Sequence, residues 1–239
     1  MDKNKTTKHR GHHSLEGPYY VDNLGAHNSA LSALLEHSTP INYRKGQIIY
    51  LQGEEGKVFY YVKNGRIKVS ITNREGYEKI LAICESQTFV GEHIMEHQTY
   101  GSTATALEDS ELHAIDVRRF ESLVIENPAV ALMMLRCVKR KLTFLALQIA
   151  DLCFLTAEGR VAHALLELAD RAGQETPDGI AIPEKMTHET LANLTGLSRP
   201  TVTIVLNDLE KHNLLRKRRT FLLIVDREGL ERILTKHLL

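Results

Sequence analysis

Cysteine and long apolar runs are both scarce in this 239-residue sequence. The three cysteines, Cys84, Cys137 and Cys153, lie far apart and form no Cys-x-x-Cys pair, which argues against a disulfide framework, a zinc ribbon or an iron–sulfur cluster. No apolar stretch reaches the roughly 18 residues that a membrane span needs, and the polar, basic first residues offer no secretory signal. We therefore expect a globular protein of one or two domains, in the cytoplasm and not associated with a membrane.

Net charge is also absent, because 30 basic residues balance 30 acidic ones. The balance is uneven along the chain: from Lys185 onward there are ten Lys or Arg against six Asp or Glu, which leaves 20 against 24 in the first 184 residues. A local excess of positive charge is typical of a nucleic-acid-binding module. The C-terminal part is therefore the candidate for contact with double-stranded DNA.

Residues 1–25 are polar, rich in His and Lys, and predict a mobile tail. His9, His12 and His13 lie in it, but the chain has no second ligand cluster, so a solvated tail is favoured over a metal site.

Residues 26–125 have the sequence pattern of a small closed or rolled β-barrel. Between Tyr43 and Val117, short β-rich runs are separated by glycines at the 8 to 12-residue intervals typical of all-β folds. The runs are QIIYL, VFYYV, RIKVSI, KILAI, STATAL and ELHAID. In RIKVSI polar and apolar residues alternate strictly, so this strand is expected to have one buried face and one solvent-exposed face.

Residues 126–155 carry a heptad pattern that begins at Ala131. The spacing of 4, 3, 4, 3, 4, 3 predicts a coiled-coil helix of about 25 residues. The short polar run TAEGR that follows Phe154 breaks this pattern, so the helix ends at a hinge near 154–159. We expect the apolar stripe to join two copies in a parallel homodimer, since the basic residues from Arg136 to Lys141 keep the other face polar; packing of the stripe on its own barrel is the alternative. The predicted dimer residues are Leu135, Val138, Leu142, Leu145, Ile149 and Leu152.

Residues 156–239 predict a winged helix-turn-helix. Thr187 is placed to cap a short helix, Gly196 ends it, and Ser198 caps the next helix, where Pro200 is tolerated in the first turn. Arg199 is then placed to form a bidentate contact with guanine, while the basic run RKRR between LL and FLLIV fits a hairpin wing on phosphate. The predicted DNA contacts are Ser198, Arg199, Pro200, Thr201, Thr203, Lys217, Arg218 and Arg219.

Three stretches resemble the superfamily of the cyclic-AMP receptor protein and the fumarate-nitrate regulator. They are KGQIIYLQGEEGKVFYYVKNGRIKV with FVGE, LCFLTAEGRVAHALLELA, and TGLSRPTVTIVLNDLEKHNLL. The resemblance covers the chain from about Ala33 onward. It implies an α+β protein with an N-terminal β-roll, a long dimerisation helix and a C-terminal winged helix-turn-helix. It further implies a non-enzymatic homodimer that reads an inverted repeat, with RNA polymerase as a partner.

The departures from that superfamily concern the effector. Cyclic-AMP binders carry Arg-Ser/Thr-Ala where this chain has Ser102, Thr103 and Ala104, and they offer Thr-Ser to adenine where this chain has Leu145 and Ala146. A phosphate without a cation is costly to desolvate, so we expect an effector other than cyclic AMP. The tail also lacks the cysteines of cluster-binding fumarate-nitrate regulators.

The effector prediction stays open between two ligands. One is a small apolar or aromatic molecule, as in the halophenol-sensing branch that the barrel resembles. The other is haem, the one cofactor considered, with His93 as axial ligand as in the carbon-monoxide-sensing branch. The predicted pocket residues are Gly91, Glu92, His93, Tyr100, Ser102, Thr103, Leu145 and Ile149.

Two further alternatives belong to other classes. A cupin-like metalloenzyme needs paired histidines one residue apart, and the chain has no His-x-His. A constitutive DNA-binding protein with an inactive barrel is the other, and its DNA affinity would not respond to any ligand.

Overall fold

The computed structural model describes residues 20–21, 29–95, 99–182 and 186–235. Most of the predicted tail, including its three histidines, lies outside these ranges. The strands of the N-terminal part are β1 (Tyr20–Val21), β2 (Thr39–Tyr43), β3 (Ile48–Tyr50), β4 (Val58–Asn64), β5 (Ile67–Thr72), β6 (Glu78–Cys84), β7 (Thr88–Val90), β8 (Thr103–Ala106) and β9 (Ser110–Asp116). All six predicted β-runs are confirmed as strands, whereas β1, β2 and β7 were not predicted.

These strands form the predicted β-roll. One sheet has the order β1-β6-β5-β8-β3 and the other has the order β2-β9-β4-β7. Pairing is antiparallel except for β1, where Tyr20 lies opposite Ile83 in a parallel register. The core between the sheets is fully buried and contains Phe59, Phe89, Ile67, Leu112 and Ile115.

The helices are α1 (Ser29–Leu35), α2 (Val117–Glu126), α3 (Pro128–Phe154), α4 (Ala157–Ala172), α5 (His188–Thr195), α6 (Arg199–Lys211) and α7 (Arg227–Thr235). Helix α3 has 27 residues, close to the predicted length, and Asn127 caps it with Oδ1 accepting from the Ala129 amide at 3.2 Å. At 1.5 Å per residue it is about 40 Å long. Within the described residues, no helix is both long and apolar enough to cross a membrane.

Helix α3 uses two neighbouring faces for two purposes. The face on the barrel is buried and contributes Val130, Met133, Met134, Cys137 and Phe144. The six predicted dimer residues lie on the neighbouring face and are between 41% and 67% exposed. The alternative in which this stripe packs on its own barrel is therefore wrong. Of the basic residues expected to keep another face polar, Arg136, Lys139 and Arg140 are exposed, whereas Lys141 turns to the barrel and forms an ion pair with Glu92.

The C-terminal part is a winged helix-turn-helix, as predicted. Helices α4 to α7 pack around a small sheet of order β10-β11-β13-β12, formed by β10 (Gln174–Thr176), β11 (Gly179–Ile182), β12 (Leu215–Lys217) and β13 (Leu222–Ile224). Thr156 caps α4 through its side chain, which accepts from the Gly159 amide at 3.2 Å. The break between α3 and α4 is thus a single capped turn at residues 155–156.

Candidate DNA-binding surface and effector site

The helix-turn-helix is formed by α5 and α6. The side chain of Thr187 caps α5 by accepting from the Thr190 amide at 3.0 Å, and that of Ser198 caps α6 by accepting from the Thr201 amide at 3.2 Å. Gly196 ends α5 with a φ of 68°, a left-handed conformation in which a side chain is disfavoured. These features confirm the predicted caps and turn, and they place Arg199 at the first position of α6.

The predicted DNA-contact residues on α6 differ in how available they are. Arg199 and Pro200 are exposed. The hydroxyl of Thr201 lies 2.7 Å from that of Ser198. The hydroxyl of Thr203 donates to the Arg199 carbonyl at 3.0 Å and lies 2.8 Å from Nδ1 of His188. Both threonine hydroxyls therefore form hydrogen bonds within the C-terminal winged helix-turn-helix, which we call the reading head. Among the predicted contacts on α6, Arg199 is the polar side chain that extends furthest toward solvent.

The wing joins β12 to β13, and its basic residues fall into two groups. Lys217 Nζ lies 2.8 Å from a carboxylate oxygen of Glu210 and also donates to the side-chain carbonyl of Asn207. The hydrogen bond from Lys217 lowers the pKa of Glu210. Arg218 and Arg219, at the tip of the wing, are exposed. Lys217 thus ties the wing to α6, while the two arginines face outward where a phosphate can approach.

The predicted effector segment begins at Gly91, where β7 turns into a short 3-10 helix, Glu92–Met95. Glu92 and Lys141 form an ion pair with side chains 12% and 21% exposed, and Lys141 also donates to the Phe89 carbonyl at 2.7 Å. Burial alone would lower the pKa of Lys141, but the Glu92 carboxylate outweighs this and the pKa lies above its ordinary value. The pair fixes α3 to the barrel, and the carboxylate already balances the lysine charge.

A tyrosine stack occupies the space beside this turn. The rings of Tyr50 and Tyr100 stack with centroids 4.0 Å apart, and Tyr100 donates its hydroxyl to the Val58 carbonyl at 2.6 Å. A Cβ at Gly91 would lie 3.1 Å from Tyr50 and 3.3 Å from Tyr100. Ser102, the residue expected at the position of the phosphate-binding arginine, is buried. Tyr100 is thus part of a packed wall.

The other predicted pocket residues have different surroundings. His93 Nε2 accepts from the Gly101 amide at 2.6 Å, so one of the two ring nitrogens that could bind haem iron already has a hydrogen-bond partner. Thr103 accepts from the Gln52 amide at 3.0 Å. Leu145 and Ile149 follow Lys141 by one and two turns of α3 and are 41% and 60% exposed. His93 and Thr103 thus have hydrogen-bond partners within the chain, whereas Leu145 and Ile149 keep exposed apolar surface.

Sequence reasoning missed a junction between the barrel and the head. Ile80 and Ile83 of β6 are buried in the same apolar cluster as Leu191 and Leu194 of α5. The run ILAIC in β6 lacks the alternation of β5, and a continuous apolar run indicates a strand with both faces covered. That run is the signal that could have revealed the contact.

Polar contacts complete the junction around Lys79. Its Nζ donates to the Leu194 carbonyl at 2.7 Å, at the end of α5, and lies 3.5 Å from Oε1 of Gln148 on α3. Burial, helped by the charge of Arg160, lowers the pKa of Lys79 to about 8. Asn193 of α5 donates to Glu78 of β6 at 2.8 Å. The barrel, α3 and the first helix of the reading head thus meet at one lysine.

Comparison with known proteins agrees with this geometry. The models for "Cyclic nucleotide-binding domain" and "Crp-like helix-turn-helix domain" match residues 40–127 and 159–233. The chain is 30% identical over 209 residues to the CRP-like cAMP-activated global transcriptional regulator of Mycobacterium tuberculosis, covering 87% of this chain and 93% of that one. It is 31% identical over 188 residues to the cAMP-activated global transcriptional regulator CRP of Escherichia coli, covering 77% and 89%. A solved structure of a CooA mutant from Carboxydothermus hydrogenoformans matches with a TM-score of 0.69 and 30% identity, over 83% of this chain and 88% of that one.

The fold and the site together define a DNA-binding transcription regulator with a cyclic-nucleotide-binding-like domain. The chain belongs to the Crp/FNR family, whose members are regulators and not enzymes.

Proposed function

We propose that this chain is an effector-responsive regulator that acts as a homodimer on an inverted repeat and senses a small molecule other than cyclic AMP. The observation that carries the proposal is the exposed Arg199 at the capped start of α6, at the position from which a recognition helix meets base edges. A regulator of this kind works beside DNA and RNA polymerase, so we place it in the cytoplasm with the polymerase as a partner.

The homodimer is supported by the exposed stripe of α3. A row of apolar side chains repeating every 3.5 residues is complementary to an identical row on a second copy related by two-fold symmetry. Large contiguous apolar patches are uncommon on monomers, and these six side chains follow one another over most of the helix. Two heads joined in this way would meet half-sites about one turn of DNA apart.

The choice against cyclic AMP is supported by the charges of the candidate pocket. The phosphate of that ligand needs a cation or a row of N–H donors. Ser102 stands at the matching position, and the charge of Lys141 is balanced by Glu92. The stacked Tyr50 and Tyr100 also pack directly against Gly91. An uncharged or largely apolar effector fits these surroundings better than a phosphate does.

The proposed switch has two states and runs through α3 and β6. Lys141 of α3 contacts the effector segment, and Gln148, two turns later and about 10 Å along the helix, lies at the Lys79 junction. Strand β6 bears Lys79 near its start and Cys84 at its other end, in the barrel core. An effector that favours one position of α3 over another would therefore change how the head docks, provided its affinity differs between the states.

The test compares two arginine variants on DNA. We expect Arg199→Ala to abolish the preference for guanine at one base pair in each half-site, at about 1–3 kcal/mol per contact. Arg218→Ala should weaken all sequences alike and lower the salt slope by about one. Equal losses on specific and random DNA for Arg199→Ala would contradict the proposed reading head.

The same assay separates the effector-responsive protein from a constitutive one. DNA affinity would be measured before and after the removal of co-purified small molecules, which are identified by mass spectrometry and absorption spectroscopy. An affinity that no extract or purified ligand changes would contradict the sensing role and leave DNA recognition intact. A Soret band would restore haem as the candidate.

A further inference from the structure

One apolar side chain of α6 is exposed without a structural reason. The inward face of the helix is fully packed by Val202, Val205, Leu206 and Leu209. Ile204 points away from that face and is 69% exposed. Among the described residues after Phe154, it is the one large hydrophobic side chain that stands out in solvent.

The polar groups around Ile204 are engaged within the head. Thr203 bonds to the Arg199 carbonyl and to His188, and the side-chain carbonyl of Asn207 accepts from Lys217. The outward surface that remains toward the start of α6 consists of the Arg199 guanidinium with the apolar Pro200 and Ile204. Pro200 and Ile204 are four residues apart and therefore lie on the same side of the helix. This reading surface combines one strong hydrogen-bond donor with an apolar patch.

The major groove offers one apolar partner of matching size. Guanine, cytosine and adenine present hydrogen-bonding groups there, whereas thymine also presents its C5 methyl group. We propose that Ile204 is a specificity-determining residue that selects thymine through contact with this methyl group, while Arg199 selects guanine. The inference rests on the proposed reading head and adds a second base to what that head recognises.

The helix geometry sets the expected spacing of the two bases. Ile204 is five positions after Arg199, which is about 7.5 Å along the helix axis at 1.5 Å per residue. Base pairs repeat every 3.4 Å or so, and the two contacts therefore lie roughly two base-pair steps apart. The expected half-site contains a guanine and a thymine at that separation.

Replacing thymine by uracil provides a direct test, because this change removes the methyl group and leaves every hydrogen bond of the base intact. A binding site is first selected from random duplexes with the wild-type protein. Each thymine of the site is then replaced by uracil in turn, in both half-sites. We expect affinity to fall about fourfold per half-site at one thymine position, from the burial of one methyl group, and about fifteenfold when both half-sites are changed.

The variants show whether Ile204 is responsible. Ile204→Ala should bring the thymine-to-uracil ratio at that position close to one, and Ile204→Val should keep part of it. Arg199→Ala should lose the guanine preference but keep the uracil effect. Since Ile204 is exposed, the alanine variant should fold with an unchanged melting temperature, which is measured alongside.

The outcomes separate this inference from the proposed function. A specific site whose affinity is unchanged by uracil at every position, or changed equally in wild type and Ile204→Ala, would overturn the role of Ile204 while sequence-specific binding stands. A selection that recovers no preferred sequence would overturn the proposed reading head itself.

Discussion

Leu142 is the most exposed of the apolar residues on the α3 stripe, and replacing it by lysine tests the dimer directly. The residue is 67% exposed in the single chain, so the proposed dimer would bury this exposed part, roughly two-thirds of the Leu142 surface, in each copy. Full burial of a leucine stabilises by about 1.5–3 kcal/mol, which gives ~1–2 kcal/mol per copy and ~2–4 kcal/mol for the pair. Loss of this contribution weakens the dimer roughly 30- to 700-fold. The two facing lysine charges weaken it further, because they would be buried without partners.

The matched control adds the same charge one residue further along the helix. Thr143 is exposed and lies beside the stripe, where its hydroxyl donates to the Lys139 carbonyl. Thr143→Lys changes the net charge as Leu142→Lys does but removes no apolar side chain of the stripe. We expect this control to remain dimeric.

Sedimentation over a range of protein concentrations provides the measurement. We expect wild type and Thr143→Lys to sediment at twice the chain mass of 27.0 kDa, and Leu142→Lys to sediment as a single chain. The monomeric variant should also lose specific DNA binding, because one head makes half of the contacts. An unchanged dimer dissociation constant for Leu142→Lys would show that the copies associate through another surface. Equal dissociation by both variants would show a charge effect unrelated to the stripe.

Three further predictions concern the barrel and the stability of the fold. We expect that cyclic AMP does not bind, so millimolar cyclic AMP should leave the melting temperature unchanged. A ligand that binds only the folded state must raise the melting temperature, and a reproducible rise of a few degrees would therefore contradict the assigned pocket. Lys141→Met should lower the free energy of unfolding in urea by an amount near the lower end of ~3–5 kcal/mol, because it leaves Glu92 buried while a fifth of the Lys141 side chain already meets solvent. The double variant with Glu92→Gln should recover most of this loss, and a double variant no more stable than the single one would refute the pair. Burial raises the pKa of Cys84 from 9.0 and that of Tyr60 from 10.0, each to about 12, so the folded state keeps protons that the unfolded chain releases. This contribution to stability is present in full below about pH 9 and is lost as the pH rises toward 12. Lys79, with its pKa lowered to about 8, acts in the opposite direction and adds stability as the pH rises from 8 to 10.5. A melting temperature that does not fall between pH 10.5 and 12 would refute this balance.

The local elements were predictable because each depends on neighbouring residues. The period of two in RIKVSI, the caps at Thr187 and Ser198, and the glycine turn between α5 and α6 need only a few consecutive positions. The heptads of α3 likewise predicted a helix of nearly the observed length. Strands β2 and β7 were missed because TPINY and TFV are short and carry no clear alternation.

The side-chain partners within the site were less predictable. Thr203 and Lys217 were expected to reach DNA, yet each bonds to another part of the head, His188 or Glu210. A hydroxyl or ammonium group can bond to any partner that the fold brings near, and the sequence does not show which one is near.

The sequence by itself determined the order of barrel, long helix and reading head, since periodicity, caps and turns are written in consecutive residues. It also determined which residues of helix α6 carry strong hydrogen-bond donors and which are apolar. The tertiary structure alone decided that the stripe of α3 faces away from its own barrel and that Lys141 meets Glu92. It also decided that Lys79 of the barrel closes the end of α5, 115 residues further along the chain. These contacts join segments remote in sequence, and their geometry is set by the packing of whole elements, which no local pattern encodes.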